Sequence, residues 1–342
     1  MIAVIGAGSW GTAVAVQLAK QGYKVNMWAR EEEVVCEINN FRINKTYLPE
    51  AVIPEGVYCS LDIAEVLKNS EAIFCAVPSH AFKNVIEMMY PVLPQNAVVV
   101  NLAKGFVEVE ENRKKAFKKI YEVFYDMFKD KCNYVVLSGP SHAEEVVKDV
   151  PTALVAASND MKYAEHIQKL FLNSNIRIYT NPDVTGVELG GALKNIIAIS
   201  TGISDGLGFG DNTKAALITR GLAEITRLGK AMGANPVTFS GLSGLGDLMV
   251  TCFSMHSRNR RAGIAIGKGM SVEEAVKSIG MVVEGIRATK AARWLASEYK
   301  VDMPITEHTY KVLFEGFSPR DCVSELLKRK TKAEMEESAV FD

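Results

Sequence analysis

The feature that most constrains this chain stands at its start. Val4-Ile5-Gly6-Ala7-Gly8-Ser9-Trp10-Gly11-Thr12-Ala13 sets three glycines in G-x-G-x-x-G spacing, after the apolar run Ile2–Ile5 and at the head of a helical pattern. Each glycine has its own task. Gly6 makes a tight turn, Gly8 lets phosphates approach the backbone, and Gly11 lets the helix pack closely on the strand. The first N–H groups of a helix have no partner inside it and carry partial positive charge, so they attract anions. A second apolar run, Val25–Trp28, follows at βαβ distance. Met1 to Arg30 therefore reads as a strand–helix–strand unit for the pyrophosphate of a dinucleotide.

The same alternation continues to about Thr180. Predicted strands are Ile2–Ile5, Val25–Trp28, Ala72–Ala76, Ala97–Asn101, Tyr134–Ser138, Ala153–Ala156 and Ile176–Tyr179, with helical patterns between them such as Gly11–Lys20, Asp62–Lys68 and Ala81–Met89. Most of these runs are continuously apolar, as expected of strands covered on both faces. The pattern predicts a Rossmann-like, doubly wound, mostly parallel α/β sheet. Glu108 to Lys131 is dense in charge, but Phe117, Ile120, Tyr121, Phe124 and Phe128 recur at helical spacing, so it is read as a surface helix with one buried stripe.

After Asn181-Pro182-Asp183 the strands stop. Helical patterns cover Val187–Ser200, Thr213–Met232, Arg258–Gly267, Val272–Ile279, Glu284–Tyr299 and Pro304–Phe314, and Ser271-Val272-Glu273-Glu274 is a capping-box arrangement. We expect two domains, residues 1–180 as an NAD(P)-binding Rossmann domain and 181–342 as an all-α domain. From Lys328 the chain turns charged and is expected to fray.

Composition narrows the partners. Lys+Arg 39 against Asp+Glu 40 gives a formal charge of -1, which offers no field for nucleic acid or an anionic membrane. No apolar stretch approaches the roughly 20 residues of a membrane span. The six cysteines (36, 59, 75, 132, 252 and 322) form no C-x-x-C pair, a usage that fits a reducing, cytoplasmic setting. The five histidines form no ligand-spaced pair, so no metal is expected.

Cofactor selection is read at the end of the second run, Trp28-Ala29-Arg30-Glu31. Arg30 can pair with a ribose 2′-phosphate, so NADP(H) is expected, and Glu31 leaves NAD(H) open. Lys104, after the fourth strand, and Gly139-Pro140-Ser141-His142-Ala143, after the fifth, would both lie at the carboxyl edge of the sheet, where ligands bind. Farther on, Lys194 stands in the apolar helical run Val187–Ile199, and desolvation there would lower its pKa toward a range suited to proton transfer. Gly190 and Gly191, costly in a helix at up to about 1 kcal/mol each, would clear ligand space beside it. Gly241–Leu248 reads as a glycine-rich turn carrying the acid Asp247, and Ser257-Arg258-Asn259 at a helix start reads, taken alone, equally as a phosphate seat or as a solvated basic turn. Gly202-Ile203-Ser204-Asp205-Gly206 matches G-x-S-x-G, but it lacks the preceding strand that a nucleophile elbow needs.

Taken together, GAGSWGTA (Gly6–Ala13), AVPSH (Ala76–His80), NLAKG (Asn101–Gly105), SGPSHAEEV (Ser138–Val146), ELGGALKNIIAI (Glu188–Ile199), GLSGLGDLMVTC (Gly241–Cys252), SRNRRAG (Ser257–Gly263) and VVEGIRA (Val282–Ala288) resemble the soluble bacterial NAD(P)-dependent sn-glycerol-3-phosphate dehydrogenases. The resemblance implies hydride exchange between a nicotinamide and carbon 2 of dihydroxyacetone phosphate or sn-glycerol 3-phosphate, a step that supplies phospholipid synthesis. It implies Lys194 as proton donor and acceptor, with Lys104 and Asp247 beside it. Substrate would meet Lys104, Gly139, Ser141, Lys194, Asp247, Ser257, Arg258 and Asn259. Cofactor would meet Gly6, Gly8, Ser9, Trp10, Gly11, Arg30, Tyr47, Lys104, Ala143, Arg258, Val282 and Glu284. It further implies an all-α second domain like that of 6-phosphogluconate dehydrogenase, and a homodimer.

Overall fold

The computed structural model describes residues 1–111, 113–129, 132–330 and 333–334. Among the described residues ten strands are formed: β1 Ile2–Ile5, β2 Val25–Trp28, β3 Val57–Ser60, β4 Ala72–Cys75, β5 Val98–Asn101, β6 Phe106–Glu111, β7 Lys114–Lys119, β8 Asn133–Ser138, β9 Thr152–Ala157 and β10 Ile176–Asn181. Eight of them build one sheet in the order β10-β9-β8-β5-β4-β1-β2-β3. All neighbours are parallel except β8 and β9, which pair antiparallel. The central strands are buried along their whole length, which explains their unbroken apolar sequences. β3 was not anticipated; it is short and lies at the sheet edge, where Tyr58 is exposed and weakens the apolar pattern.

The helices of the first half are α1 Ser9–Lys20, α2 Glu32–Cys36, α3 Ile63–Leu67, α4 Phe82–Met89, α5 Ile120–Phe128, α6 Ala143–Val146 and α7 Met161–Leu170. The charged stretch from Glu108 is not one long helix. Its first part is the antiparallel hairpin β6–β7, and α5 begins only at Ile120. Lys115 pairs with Glu108 at 2.6 Å and Lys118 with Glu111 at 2.8 Å across the hairpin, offsetting the poor strand propensity of these residues. Phe117 imitated a helical stripe, yet it packs from β7 onto Trp294, with ring centroids 6.0 Å apart.

From Val184 the described chain is helical: α8 Val184–Gly206, α9 Asp211–Ala231, α10 Asp247–Phe253, α11 Arg258–Gly267, α12 Val272–Ile279, α13 Glu284–Glu298, α14 Pro304–Phe314 and α15 Pro319–Leu327. The charged tail expected after Lys328 lies largely outside the described residues. Helix α8 starts where Asp183 Oδ1 accepts from Gly186 N at 2.8 Å, and it is buried on every side between Val187 and Ile199. Its glycines set how close its neighbours come. A Cβ on Gly202 would stand 2.3 Å from the Arg260 carbonyl oxygen, and one on Gly263 would stand 2.3 Å from that of Ile199. Helices α8 and α11 therefore meet backbone to backbone, which brings Arg258 and Asn259 over the segment that carries Lys194 and Asn195. Ser204 is buried inside α8, with no strand before it, so the G-x-S-x-G match forms no elbow. Among the described residues no helix is long and apolar enough to cross a membrane.

Candidate active site

The glycine loop connects β1 to α1 as its spacing requires. Gly6 has φ +108°, and a Cβ on Gly11 would stand 2.0 Å from the Gly6 carbonyl oxygen. A Cβ on Gly8 would meet nothing within 4 Å, so the surface above the loop is open to a large anion. The α1 N-terminus has no side-chain cap, which leaves its first N–H groups directed there. Ser9 Oγ donates to the Tyr47 carbonyl oxygen at 2.7 Å and accepts from Arg258 Nη2 at 3.0 Å. Ser9, Tyr47 and Arg258 thus converge from three distant parts of the chain. These residues fit the pyrophosphate of a dinucleotide, the anion that the loop, the helix end and the guanidinium would share.

Other expected cofactor positions are placed as follows. Trp10 is half-buried, and its shielded Nε1 has no hydrogen-bond partner. Arg30 is 81% exposed and pairs with Glu31 Oε1 at 2.7 Å, while Tyr47 Oη reaches the same oxygen at 3.4 Å. Ala143 begins α6, and Val282 is exposed just before α13. Glu284 opens α13, and its carboxylate accepts from Ser79 N at 3.0 Å and Ser79 Oγ at 2.8 Å, tying the loop after β4 to the helical half.

The charged centre assembles at the carboxyl edge of the sheet. Lys104 Nζ, in the loop after β5, donates to the Gly139 carbonyl oxygen at 2.9 Å and to Asp247 Oδ2 at 2.7 Å. Lys194 Nζ, from α8, donates to Asp247 Oδ1 and to Thr251 Oγ1, the latter at 2.6 Å. Asp247 is 1% exposed and bridges the two lysines. Gly139 has φ +130°, which turns its carbonyl toward Lys104 and lets it accept from Ser141 Oγ at 3.0 Å. Two cations share one carboxylate, leaving a buried excess of positive charge. Burial drives the Lys194 amine down to about 8, against the pull of the Asp247 carboxylate and with the push of Lys104. Burial opposes ionisation of Asp247, but the charges and hydrogen bonds of the two lysines outweigh it and hold the carboxyl below its usual range.

The proposed phosphate seat is partly turned inward. Ser257 Oγ caps α11 by accepting from Arg260 N at 3.2 Å. Asn259 Nδ2 donates to Asn195 Oδ1 at 2.8 Å, and its Oδ1 accepts from Gly285 N at 2.9 Å. Asn195 Nδ2 in turn donates to the Lys104 carbonyl oxygen at 3.1 Å. This chain of amides locks α8, α11, α13 and the Lys104 loop into one unit. The glycines before Lys194 make no ligand space. A Cβ on Gly190 would lie 2.6 Å from the Ser243 carbonyl oxygen, and one on Gly191 would lie 2.8 Å from Ser138 Oγ, so both serve close packing of protein on protein.

Sequence reasoning missed Thr251, Asn195 and Ser79. Thr251 was findable: it stands four residues after Asp247, one helical turn on, and its hydroxyl also donates to the Asp247 carbonyl oxygen at 2.6 Å. Asn195 adjoins Lys194 but carried no signal of its own. Ser79 meets Glu284 across 205 residues, which no local pattern reports.

Comparison with known proteins gives the family. The model described as NAD-dependent glycerol-3-phosphate dehydrogenase N-terminus matches residues 1–164, and its C-terminus counterpart matches residues 183–324. The chain belongs to the NAD-dependent glycerol-3-phosphate dehydrogenase family. Glycerol-3-phosphate dehydrogenase [NAD(P)+] of Pelotomaculum thermopropionicum is 56% identical over 341 residues, covering 99% of this chain and 96% of that one. The Bacillus subtilis enzyme of that name is 48% identical, covering 98% and 96%. The crystal structure of glycerol-3-phosphate dehydrogenase from Coxiella burnetii superposes with a TM-score of 0.90 at 40% identity, covering 96% of this chain and 98% of that one. Family membership and the lysine-rich centre agree on an NAD(P)-dependent oxidoreductase with a Rossmann-like half and a helical half.

Proposed function

We propose that this protein reversibly reduces dihydroxyacetone phosphate to sn-glycerol 3-phosphate with NADPH or NADH, and that Lys194 moves the proton. The observation that carries the reading is the Lys194–Asp247–Lys104 cluster, set at the sheet edge on which the glycine loop also opens. Residues 1–180 would hold the cofactor and 181–342 the substrate, in a cytoplasmic homodimer that supplies glycerol phosphate to phospholipid synthesis.

The nicotinamide, when bound, supplies or accepts the hydride at carbon 2. The chain's own residues do the rest. Lys194, with its amine brought down to about 8, exchanges a proton readily near neutral pH with the substrate oxygen on that carbon. Asp247 and Thr251 fix the direction of its Nζ. Lys104, held by the Gly139 carbonyl, adds positive charge where the carbonyl oxygen gains electron density in the transition state. Arg258 receives phosphate charge near Ser9, and Ser257 and Asn259 hold the start of α11 that presents it. Gly139 and Ser141 line the turn against which the substrate would rest.

An initial-rate assay of dihydroxyacetone phosphate reduction, with NADPH and then NADH, tests the reading. Turnover with either cofactor is expected. Turnover of a β-hydroxy acid instead, with none of the triose phosphate, would refute it.

A further inference from the structure

One imidazole beside the lysine pair has no role in the reaction described so far. His142 Nε2 is shielded from solvent, and among the described residues no group hydrogen-bonds to it. A buried polar atom without a partner forfeits its hydration and gains nothing in exchange, so such atoms call for a cause. His142 ends the turn that begins at Gly139, whose carbonyl holds Lys104 Nζ at 2.9 Å. Its ring centroid lies 5.7 Å from that of His256, the residue before Ser257 and Arg258. His256 is exposed and comes from the loop between α10 and α11. The His142 ring therefore stands between the lysine pair and the start of α11, the two places that a phosphorylated three-carbon substrate must join.

Resting on the reaction proposed above, we propose that His142 is a substrate-binding residue whose Nε2–H donates to an anionic oxygen of the substrate's phosphate. The charges acting on the ring are Lys194 of α8, Lys104 of the loop after β5, Asp247 of α10 and Glu144 of α6, with His256 as its ring neighbour. Burial and then Lys194 lower its pKa, so the ring is neutral near pH 7 and has one N–H to give. The missing partner arrives with the ligand.

The test uses His142→Phe, which keeps a planar ring but removes both nitrogens, and His142→Gln, which restores an N–H donor. Steady-state reduction of dihydroxyacetone phosphate is measured beside titration of inorganic phosphate into the enzyme–NADPH complex. His142→Phe should raise KM and weaken phosphate binding by about tenfold each. It should leave NADPH affinity unchanged and kcat within about threefold, and His142→Gln should recover most of the loss. A purely packing role would leave both affinities alone, and unchanged values in a cooperatively melting His142→Phe protein overturn the assignment. Should that variant not fold, His142→Leu carries the same comparison. A wild type that binds phosphate through His142 but does not turn over the triose phosphate would sink the proposed reaction and leave this anion site standing.

Discussion

The charge balance around Lys194 makes a prediction whose sign can be checked from two sides. In carbonyl reduction Lys194 must start protonated, so kcat/KM should be flat below about 8 and fall as pH rises through that value. In alcohol oxidation the amine must start neutral, so activity should rise through the same pH. Asp247→Asn removes the charge that most raises the amine's pKa, and Lys104→Met removes a charge that lowers it. Two unit charges about 4 Å apart at an effective dielectric of about 20 interact by about 4 kcal/mol. Water entering the altered site offsets more than half of that, leaving under about 2 kcal/mol, a displacement of about one pH unit at about 1.4 kcal/mol per unit. The descending limb of reduction should therefore move to lower pH in Asp247→Asn and to higher pH in Lys104→Met. Both variants should also lose at least about a hundredfold in rate, because Nζ is no longer held in line. The assay is the pH dependence of kcat/KM in both directions, followed at the nicotinamide absorbance. Limbs that move the same way in the two variants, or that stay near 8 in both, would refute the electrostatic account.

Lys194→Ala should abolish turnover while NADPH affinity, read by fluorescence quenching, stays near wild type; retained turnover would remove Lys194 from the mechanism. Arg30→Ala should raise KM for NADPH by about tenfold and leave KM for NADH nearly unchanged, because the exposed guanidinium can swing from Glu31 to a 2′-phosphate; equal effects on both cofactors would count against that role. Gly263→Ala sets a Cβ 2.3 Å from a backbone oxygen of α8, so thermal unfolding should show a loss of about 2–3 kcal/mol. A melting temperature within a degree of wild type would mean that α8 and α11 part without penalty. Glu188 is buried against Tyr134 Oη and Tyr121 N, and burial raises its carboxyl from 4.5 to about 7. The unfolded chain ionises first, so stability should fall by up to about 3 kcal/mol as pH rises from 4.5 to about 7 and then level off. Glu188→Gln should flatten that slope, and a slope left as steep would show that other groups cause it.

Much of the first half was legible because each signal is local. Gly6 answers a turn with positive φ and Gly11 a close approach to the Gly6 carbonyl oxygen five residues back, while Gly8 keeps the loop surface open, and strands buried on both faces must be continuously apolar. Lys194 stood out because a lysine inside an apolar helical run is a conflict that the sequence itself displays. The misreadings fall where two patterns coincide or where a partner is far away. Phe117 and Phe124 share a seven-residue spacing that suits a helix, yet the cross-strand ion pairs of the hairpin exist only when β6 and β7 meet. Gly190 and Gly191 were visible as an anomaly, but whether the cleared space held ligand or protein depended on Ser243 and Ser138 folding against them. The sequence by itself determined a phosphate loop, a mostly parallel sheet and the residue types of the charged centre. Only the tertiary structure decided that Asp247 bridges two lysines, that Thr251 completes the grip on Lys194, and that Arg258 reaches Ser9 across 249 residues. The physical reason is that electrostatics and hydrogen bonding act over a few ångströms in space, at any separation along the chain.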